Sequence, residues 1–202
     1  MKKVLLCIMD GVGLRDKKIG NAVKTANTKT IDKLIKDYPN IPLEASGEFV
    51  GLPVGQMGNS EVGHSTIGSG RIIYQSLEKI NKNIQSREFY NNEELISAIN
   101  HAKNNNSKLH LIGLLSDGGI HSHINHLFAI LDLAKKENFT NVYIHVVTDG
   151  RDTAPDSGII YIKELQNKLN ELKFGKIATV CGRYYMMDRD NRFERVKLAY
   201  DM

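Results

Sequence analysis

The chain has 202 residues, of which 41% are hydrophobic and 25% are charged, a composition that excludes a mainly disordered protein and allows one domain or two small ones. Its net charge of +4 is small and evenly mixed, which argues against a nucleic-acid binder and a membrane-surface binder. The apolar run from Val4 to Met9 is too short for a signal peptide or a membrane span, so we expect a cytoplasmic protein. Cys7 and Cys181 lie far apart in apolar runs, which favours buried free thiols over a disulfide.

The first part of the chain predicts a strand, a helix and a long loop. Residues 3–9 are apolar and predict a buried strand, which the turn Asp10-Gly11-Val12-Gly13 follows. An amphipathic helix comes next and ends before Pro39. Residues 47–63 are rich in glycine and end in a defined polar motif, so we interpret them as a functional loop rather than a linker. A helix is predicted at about residues 75–86.

The second part repeats one pattern, in which an apolar strand is followed by a polar, glycine-containing loop and a helix. The predicted strands are Leu109 to Leu115, Val142 to Val147 and Lys176 to Cys181. Such repeats predict an α/β fold with a parallel sheet and right-handed crossovers. Because ligands of these sheets bind beyond the carboxyl ends of the strands, we expect side chains of the loops to converge there.

One serine is a candidate nucleophile. Ser60 lies where the glycine-rich loop meets a predicted helix, so a phosphoryl group on its hydroxyl would meet free N–H groups and the positive end of the helix dipole. A serine needs a base or a metal ion to become a nucleophile at neutral pH, and Asp10 is a suitable ligand for a hard metal ion. The alternative is that Ser60 only caps the helix, which serine often does.

Three histidines, His121, His123 and His126, follow the first strand of the repeat. They could form a metal cluster, but histidines without Cys or nearby carboxylates are a weak zinc signal. The alternative is that a helix begins near His123 and that two of the three are surface or capping residues. We favour a single functional imidazole, His121, because it lies at the end of the strand.

Charged residues follow the second and third strands. Arg151 offers a planar fork for phosphate or carboxylate, and the neighbouring Asp152 could move a hydroxyl proton. Together with Asp149, these residues could instead form a turn with an internal ion pair. The arginines after the third strand predict a small polyanionic ligand, although the last two could equally belong to a solvated helix face: Arg183, Arg189, Arg192 and Arg195.

Several blocks of the chain form one ordered set of motifs. They are Met9-Asp10-Gly11, Gln56 to His64, His121-Ser122-His123, Asp149 to Thr153, Gly182 to Tyr185 and Asp188 to Asp190. In this order they resemble the cofactor-independent (2,3-bisphosphoglycerate-independent) phosphoglycerate mutases of the alkaline-phosphatase superfamily. The resemblance extends over the whole chain.

The resemblance implies an isomerase that interconverts 3-phosphoglycerate and 2-phosphoglycerate in glycolysis through a phosphoserine intermediate, with two manganese ions as cofactors. It implies that Ser60 accepts the phosphoryl group and that Asp10 and Ser60 bind metal. The residues that match the substrate site are His121, Arg151, Asp152, Arg183 and Arg189. Asp152 also matches the candidate acid and base for the hydroxyl groups.

The resemblance also implies a domain organisation. Residues 1–74 match the first part of an alkaline-phosphatase-like, metal-binding domain, and residues 75–202 match most of an α/β transferase domain with a largely parallel sheet. Family members are much longer, because their chain returns to the first domain and completes the metal site. We therefore expect a fragment that lacks mutase activity alone, with an uncovered first strand, and a monomer when full length.

Two alternatives stay open. The chain could belong to another phosphohydrolase or phosphopentomutase of the same superfamily, although the transferase loops fit that poorly. It could also be a fragment that binds phosphoglycerate without catalysis. In each case the expected partner is a small molecule, not a nucleic acid or a membrane.

Overall fold

The computed structural model of the chain describes residues 3–202 and has an α/β architecture with an all-parallel sheet, as predicted. It divides into two compact units, one ending at residue 78 and one spanning residues 79–202, which we describe separately. The predicted domain boundary after residue 74 falls just before this division. Within the part of the chain that is described, no helix is long and apolar enough to cross a membrane.

The first unit is built from short helices and a 3₁₀ turn at Gly47–Val50. Its helices are α1 (Ala22–Thr25), α2 (Lys29–Asp37) and α3 (Ser60–Ser69), and α4 (Ser76–Gln85) runs across the division. α2 ends before Pro39, and α4 lies where a helix was predicted. The buried apolar cluster of this unit is small and consists of Val50, Leu52 and Val62.

The predicted buried strand at residues 3–9 is wrong. These residues form no strand, and their apolar side chains are exposed, 92% in the case of Val4. A strand needs a hydrogen-bonded neighbour, and no segment among residues 3–202 pairs with them. For the same reason Cys7 is exposed, so the expected burial of both thiols is wrong for this residue, whereas Cys181 is half-buried. Both thiols are free, as predicted.

Two glycines allow main-chain segments of the first unit to touch. A Cβ on Gly51 would lie 2.0 Å from the carbonyl oxygen of Ile73, and a Cβ on Gly58 would lie 1.8 Å from that of Ala45. The amide of Gln75 donates a 2.8 Å hydrogen bond to the carbonyl oxygen of Gly51. Main-chain contacts therefore hold the loop that leads into α3, where side-chain packing is sparse.

The second unit contains a parallel sheet in the order β1-β2-β3. The strands are β1 (Leu109–Leu115), β2 (Val142–Thr148) and β3 (Lys176–Gly182), which confirms the three predicted strands to within one residue. Leu115 pairs with Thr148, and Thr148 pairs with Gly182. The carboxyl ends of the strands therefore lie side by side, and the loops that leave them start from neighbouring points.

Five helices lie entirely within this unit. They are α5 (Glu93–Asn104), α6 (Ile124–Lys136), α7 (Gly158–Leu172), α8 (Arg183–Met186) and α9 (Phe193–Tyr200), with a 3₁₀ turn at Glu88–Asn91. Alternate residues of β2, Val142, Ile144 and Val146, are buried in one cluster with side chains of α5, α6 and α7. Burial of each such side chain stabilises the folded unit by about 1.5–3 kcal/mol. The strands that carry the loops are therefore held by a well-packed core.

Candidate functional site

Ser60 is the first residue of α3, and its hydroxyl donates a 2.7 Å hydrogen bond to Oδ2 of Asp10. The helix cap is the preceding residue, Asn59, whose side-chain oxygen accepts a 3.1 Å hydrogen bond from the amide of Val62. The alternative that Ser60 serves only as a cap is therefore wrong. Its hydroxyl is left to interact with the carboxylate across the unit.

A third polar group lies at this serine, and the sequence interpretation did not single it out. Nδ1 of His64 lies 3.2 Å from Oγ of Ser60 and 2.8 Å from the carbonyl oxygen of the same residue. The signal was present in the sequence, because residues four apart meet on one face of a helix.

Asp10 and Ser60 supply two adjacent oxygen atoms of the kind that hard divalent cations prefer. Among residues 3–202, no group of three or more His, Cys, Asp and Glu side chains is gathered so that it could hold a metal ion. The pair therefore fits a divalent cation in the chemistry of its donors and provides part of a coordination shell.

The three histidines after β1 have different surroundings. His123 is the N-cap of α6, and its Nδ1 accepts a 3.1 Å hydrogen bond from the amide of Asn125. Nε2 of His126 lies 2.7 Å from Oδ1 of Asn81, and burial, with a smaller effect of His123, lowers the pKa of His126. Of these three histidines, His121 lines the pocket that is described next. His123 and His126 instead contact α6 and Asn81.

A pocket of about 520 Å³ opens at the carboxyl ends of β2 and β3. The residues predicted to bind substrate all line it: His121, Arg151, Asp152, Arg183 and Arg189. Arg192 and Arg195 also line it, together with Asp149, Asp188 and Asp190. The predicted convergence of the strand-end loops is therefore confirmed.

Arg183 is held by two carboxylates on one side of the pocket. Its Nη1 donates to Oδ1 of Asp149 at 2.8 Å and to Oδ2 of Asp152 at 2.6 Å. Burial by itself would raise the pKa of Asp149, but hydrogen bonds from Arg183, from the amides of Arg151 and Asp152 and from Ser116 outweigh it and lower that pKa. The bond to Asp149 is the main cause that raises the pKa of Arg183. Hydrogen bonds between charged groups thus connect Asp149, Arg183 and Asp152 on this side of the pocket.

The pocket is also lined by a second set of paired charges. Nη1 of Arg192 lies 3.1 Å from Oδ1 of Asp188 and 2.6 Å from Oδ2 of Asp190. The guanidinium of Arg195 lies 4.0 Å from the ring centre of Tyr184. The notion of a purely solvated helix face is therefore wrong for these arginines.

Two cations of the pocket are not neutralised. Within residues 3–202, the guanidinium groups of Arg151 and Arg189 have no ion-pair partner, and both line the pocket. Guanidinium groups bind carboxylate and phosphate through parallel hydrogen bonds. A small dianion would therefore meet free positive charge here, beside a carboxylate, Asp152, that can exchange a proton.

The chain is an α/β protein with an arginine-lined pocket at the ends of parallel strands, a position where proteins of this class bind ligands, and with a serine hydrogen-bonded to a carboxylate at the start of a helix. The family model described as BPG-independent PGAM N-terminus matches residues 80–202. The chain belongs to this family of BPG-independent phosphoglycerate mutases, as the motifs predicted.

Individual proteins that are similar to this chain are named as phosphoglycerate mutases. The 2,3-bisphosphoglycerate-independent phosphoglycerate mutase of Acetivibrio thermocellus is 55% identical over 200 residues, which are 99% of this chain and 39% of that protein. The protein of the same name from Clostridium perfringens strain 13 is 56% identical with the same coverage. The Leishmania mexicana phosphoglycerate mutase, solved at low cobalt concentration, gives a TM-score of 0.65 at 35% identity over 87% of this chain and 34% of that chain. This chain thus spans about two fifths of the curated relatives' length.

Proposed function

We propose that this chain supplies the phosphoryl-accepting serine and the phosphoglycerate pocket of a mutase that interconverts 3-phosphoglycerate and 2-phosphoglycerate. The observation that carries the proposal is the single pocket that gathers the predicted substrate residues in a member of this family. The substrate is a small, charged metabolite of glycolysis, so we assign the activity to the cytoplasm. Neither a nucleic acid nor a membrane is a partner in this proposal.

The two units have separate tasks in the proposal. Residues 1–74 belong to the phosphatase domain, which contributes the pair of Ser60 and Asp10, and residues 75–202 belong to the transferase domain, which contributes the pocket. The division of the structure near residue 78 supports this assignment, because each set of side chains lies within one compact unit.

Ser60 is the proposed nucleophile. Its oxygen forms a bond to phosphorus while the ester bond of the substrate breaks, and free N–H groups at the start of α3 face the added charge. Asp10 accepts the hydrogen bond of the hydroxyl and so orients the oxygen. Asp10 and Ser60 would also be ligands of manganese, which, when bound, favours the ionised serine and offsets the negative charge of the phosphoryl group.

The pocket residues hold the glycerate. Arg151 and Arg189 bind its anionic groups, and His121 and Arg183 add hydrogen-bond donors. With Ser60 reacting in its ionised form, the Asp152 carboxylate takes the proton of the hydroxyl that will receive the phosphoryl group. It passes this proton to the oxygen from which the phosphoryl group has left. Its place in the lining of the pocket, with Arg151, supports this role, because a carboxylate must lie next to the bound anion to exchange this proton.

A graft tests the proposal. This chain would replace the matching 200 residues of the Acetivibrio thermocellus mutase, to which it is 55% identical. We expect the hybrid to turn over 3-phosphoglycerate with added manganese, and we expect Ser60→Ala to abolish both turnover and the covalent labelling of the protein by labelled phosphoglycerate.

The matched control is Ser69→Ala on the same helix, since that hydroxyl donates to the main-chain oxygens of Thr66 and Arg71, accepts from the amide of Arg71 and lies outside the proposed chemistry. It should leave turnover and labelling at the level of the unmodified hybrid. Label that persists in the Ser60→Ala protein would show that the nucleophile is another residue. A folded hybrid without turnover would contradict the proposed function as a whole.

A second candidate is phosphoglycerate binding without turnover by the chain alone. It is favoured by the pocket's place within a single compact unit, whereas no group of three or more His, Cys, Asp and Glu side chains among residues 3–202 is gathered to hold a metal ion. Calorimetric titration of the purified chain with 3-phosphoglycerate, paired with a mutase assay in manganese, tests it. Binding without turnover is the expected result, and measurable turnover would contradict it.

A further inference from the structure

One buried carboxylate connects the loops that follow all three strands. The side chain of Asp149, directly after β2, is 1% exposed. Its Oδ2 accepts a 3.1 Å hydrogen bond from the hydroxyl of Ser116, directly after β1, and its Oδ1 accepts the 2.8 Å bond from Arg183, directly after β3. The same Oδ1 accepts 3.1 Å bonds from the amides of Arg151 and Asp152.

Three of the residues that donate hydrogen bonds to Asp149 line the pocket, namely Arg151, Asp152 and Arg183. Two of the four donors are main-chain groups of Arg151 and Asp152, so the turn that presents both side chains closes on this carboxylate. A third is the guanidinium of Arg183, whose side chain is 12% exposed. Ser116 is buried and also accepts a hydrogen bond from the amide of Gly118, which fixes its hydroxyl toward the carboxylate.

We propose that Asp149, supported by Ser116, is a positioning residue that sets the orientation of Arg183 and of the turn at Arg151 and Asp152 for binding of the phosphoglycerate. This inference rests on the proposed function, since it names a further residue of the same site. The side chain of Asp149 is 1% exposed, and four donors occupy its two carboxylate oxygens. It acts through the side chains that it holds.

The direction in which Asp149→Asn changes the affinity for an anion separates a positioning role from a purely electrostatic one. Asp149→Asn keeps the size of the side chain and an oxygen for the two amides, but it removes the charge that pairs with Arg183. If the carboxylate influenced the pocket only through its charge, removing it would make the pocket more positive and anion binding tighter. Positioning predicts the opposite, because an unpaired guanidinium adopts other orientations and loses its fixed hydrogen bonds to the ligand.

The first measurement needs no ligand. We expect the guanidinium protons of Arg183 in the whole chain to give a slowly exchanging NMR signal, assigned by its loss in Arg183→Lys. In Asp149→Asn this signal should exchange at least about tenfold faster. A signal of unchanged exchange rate would overturn the proposal, whether or not the pocket binds phosphoglycerate.

The second measurement is calorimetric titration of the whole chain with 3-phosphoglycerate. We expect the dissociation constant to rise about tenfold in Asp149→Asn and less in Ser116→Ala, which keeps the carboxylate and guards against a variant that fails to fold. Asp132→Asn is the control, because it removes a carboxylate that pairs with Lys168 outside the pocket and leaves Arg183 paired. Its affinity for 3-phosphoglycerate should stay the same.

Each other outcome decides against the proposal. Unchanged or tighter binding by Asp149→Asn assigns the carboxylate a purely electrostatic effect. A lower binding stoichiometry at an unchanged dissociation constant, together with a lower melting temperature, assigns it a purely structural one. If the unmodified chain binds no phosphoglycerate, the proposed function fails at its binding step, while the exchange rate of Arg183 still decides the positioning role.

Discussion

The two units of the chain hold their chemically important side chains in different ways. In the second unit, fourteen of the described residues form one buried cluster under the sheet, and a buried carboxylate fixes the pocket above it. In the first, the corresponding cluster has three residues, and Asp10, which contacts Ser60, directly follows the exposed segment at residues 3–9. The pocket is thus preorganised by its own unit. The serine–aspartate contact depends on a single side-chain hydrogen bond.

This contrast teaches that binding and phosphoryl transfer have separate structural requirements in this chain. The pocket needs only the packing of strands and helices between residues 79 and 202. The serine needs its partner carboxylate to stay in place, and sparse packing gives that carboxylate little support. Substitutions in the two units should therefore differ in both kind and size of effect.

The largest expected effect is a loss of turnover caused by a substitution in the pocket of the second unit. In the hybrid enzyme, Asp152→Asn keeps the shape of the pocket but removes the proposed acid and base, so turnover should fall by about 10²–10⁴-fold. Covalent labelling of Ser60 should survive in part, because that step draws on the first unit. Rapid-quench measurement of label and of turnover separates the two steps. Near-normal turnover would eliminate the acid and base role of Asp152.

A smaller effect concerns stability. Leu165 on α7 is 0% exposed, and Leu165→Ala should lower the free energy of unfolding of the second unit by about 2–5 kcal/mol. Leu34 on α2 is 51% exposed, and Leu34→Ala should change the free energy of unfolding by no more than about 0.5 kcal/mol. Urea unfolding of the purified chain compares them. Equal losses would break the contrast between a packed and a sparsely packed unit.

The smallest effect is a dependence on acid. Since the folded state lowers the pKa of Asp149, its ionised form stabilises the second unit above the ordinary carboxyl pKa of about 3.9, and this stability is lost as the pH falls through the lowered value. Thermal unfolding should show constant stability from this carboxylate above the ordinary pKa of about 3.9 and a progressive loss as the pH is lowered below it.

The matched variants for the acid measurement are Asp149→Asn, which should flatten the loss, and Ser116→Ala, which should flatten it less because the carboxylate remains. A profile in Asp149→Asn that matches the unmodified chain would mean that other carboxylates, such as Asp188, whose pKa is also lowered, account for the effect.

The strands of the sheet could be predicted because their apolar runs and the polar loops after them are local signals. The pocket followed from one general property of parallel sheets, the common edge formed by strand ends. α5 was not predicted, although Asn92 caps it and acidic residues begin it, a recognisable start signal. Here the information was local and was overlooked.

Other features could not be read from local pattern. The predicted strand at residues 3–9 has the right composition, but a strand forms only with a hydrogen-bonded partner, and composition does not report one. The roles of Ser116 and Asp149 arise from hydrogen bonds between residues 33 and 34 positions apart, which a linear sequence does not reveal. Contacts across long separations are set by packing.

The close approach of main chain at Gly51 and Gly58 has a consequence for which positions of the first unit tolerate change. Side chains there can be exchanged widely, because few of them are packed. At these two glycines even a methyl group would overlap a carbonyl oxygen, of Ile73 and of Ala45 respectively. Genetic selection for function should therefore retain Gly51 and Gly58 more strictly than the large apolar residues around them. In a library that substitutes every position of the first unit, variants at these two glycines should be lost most often.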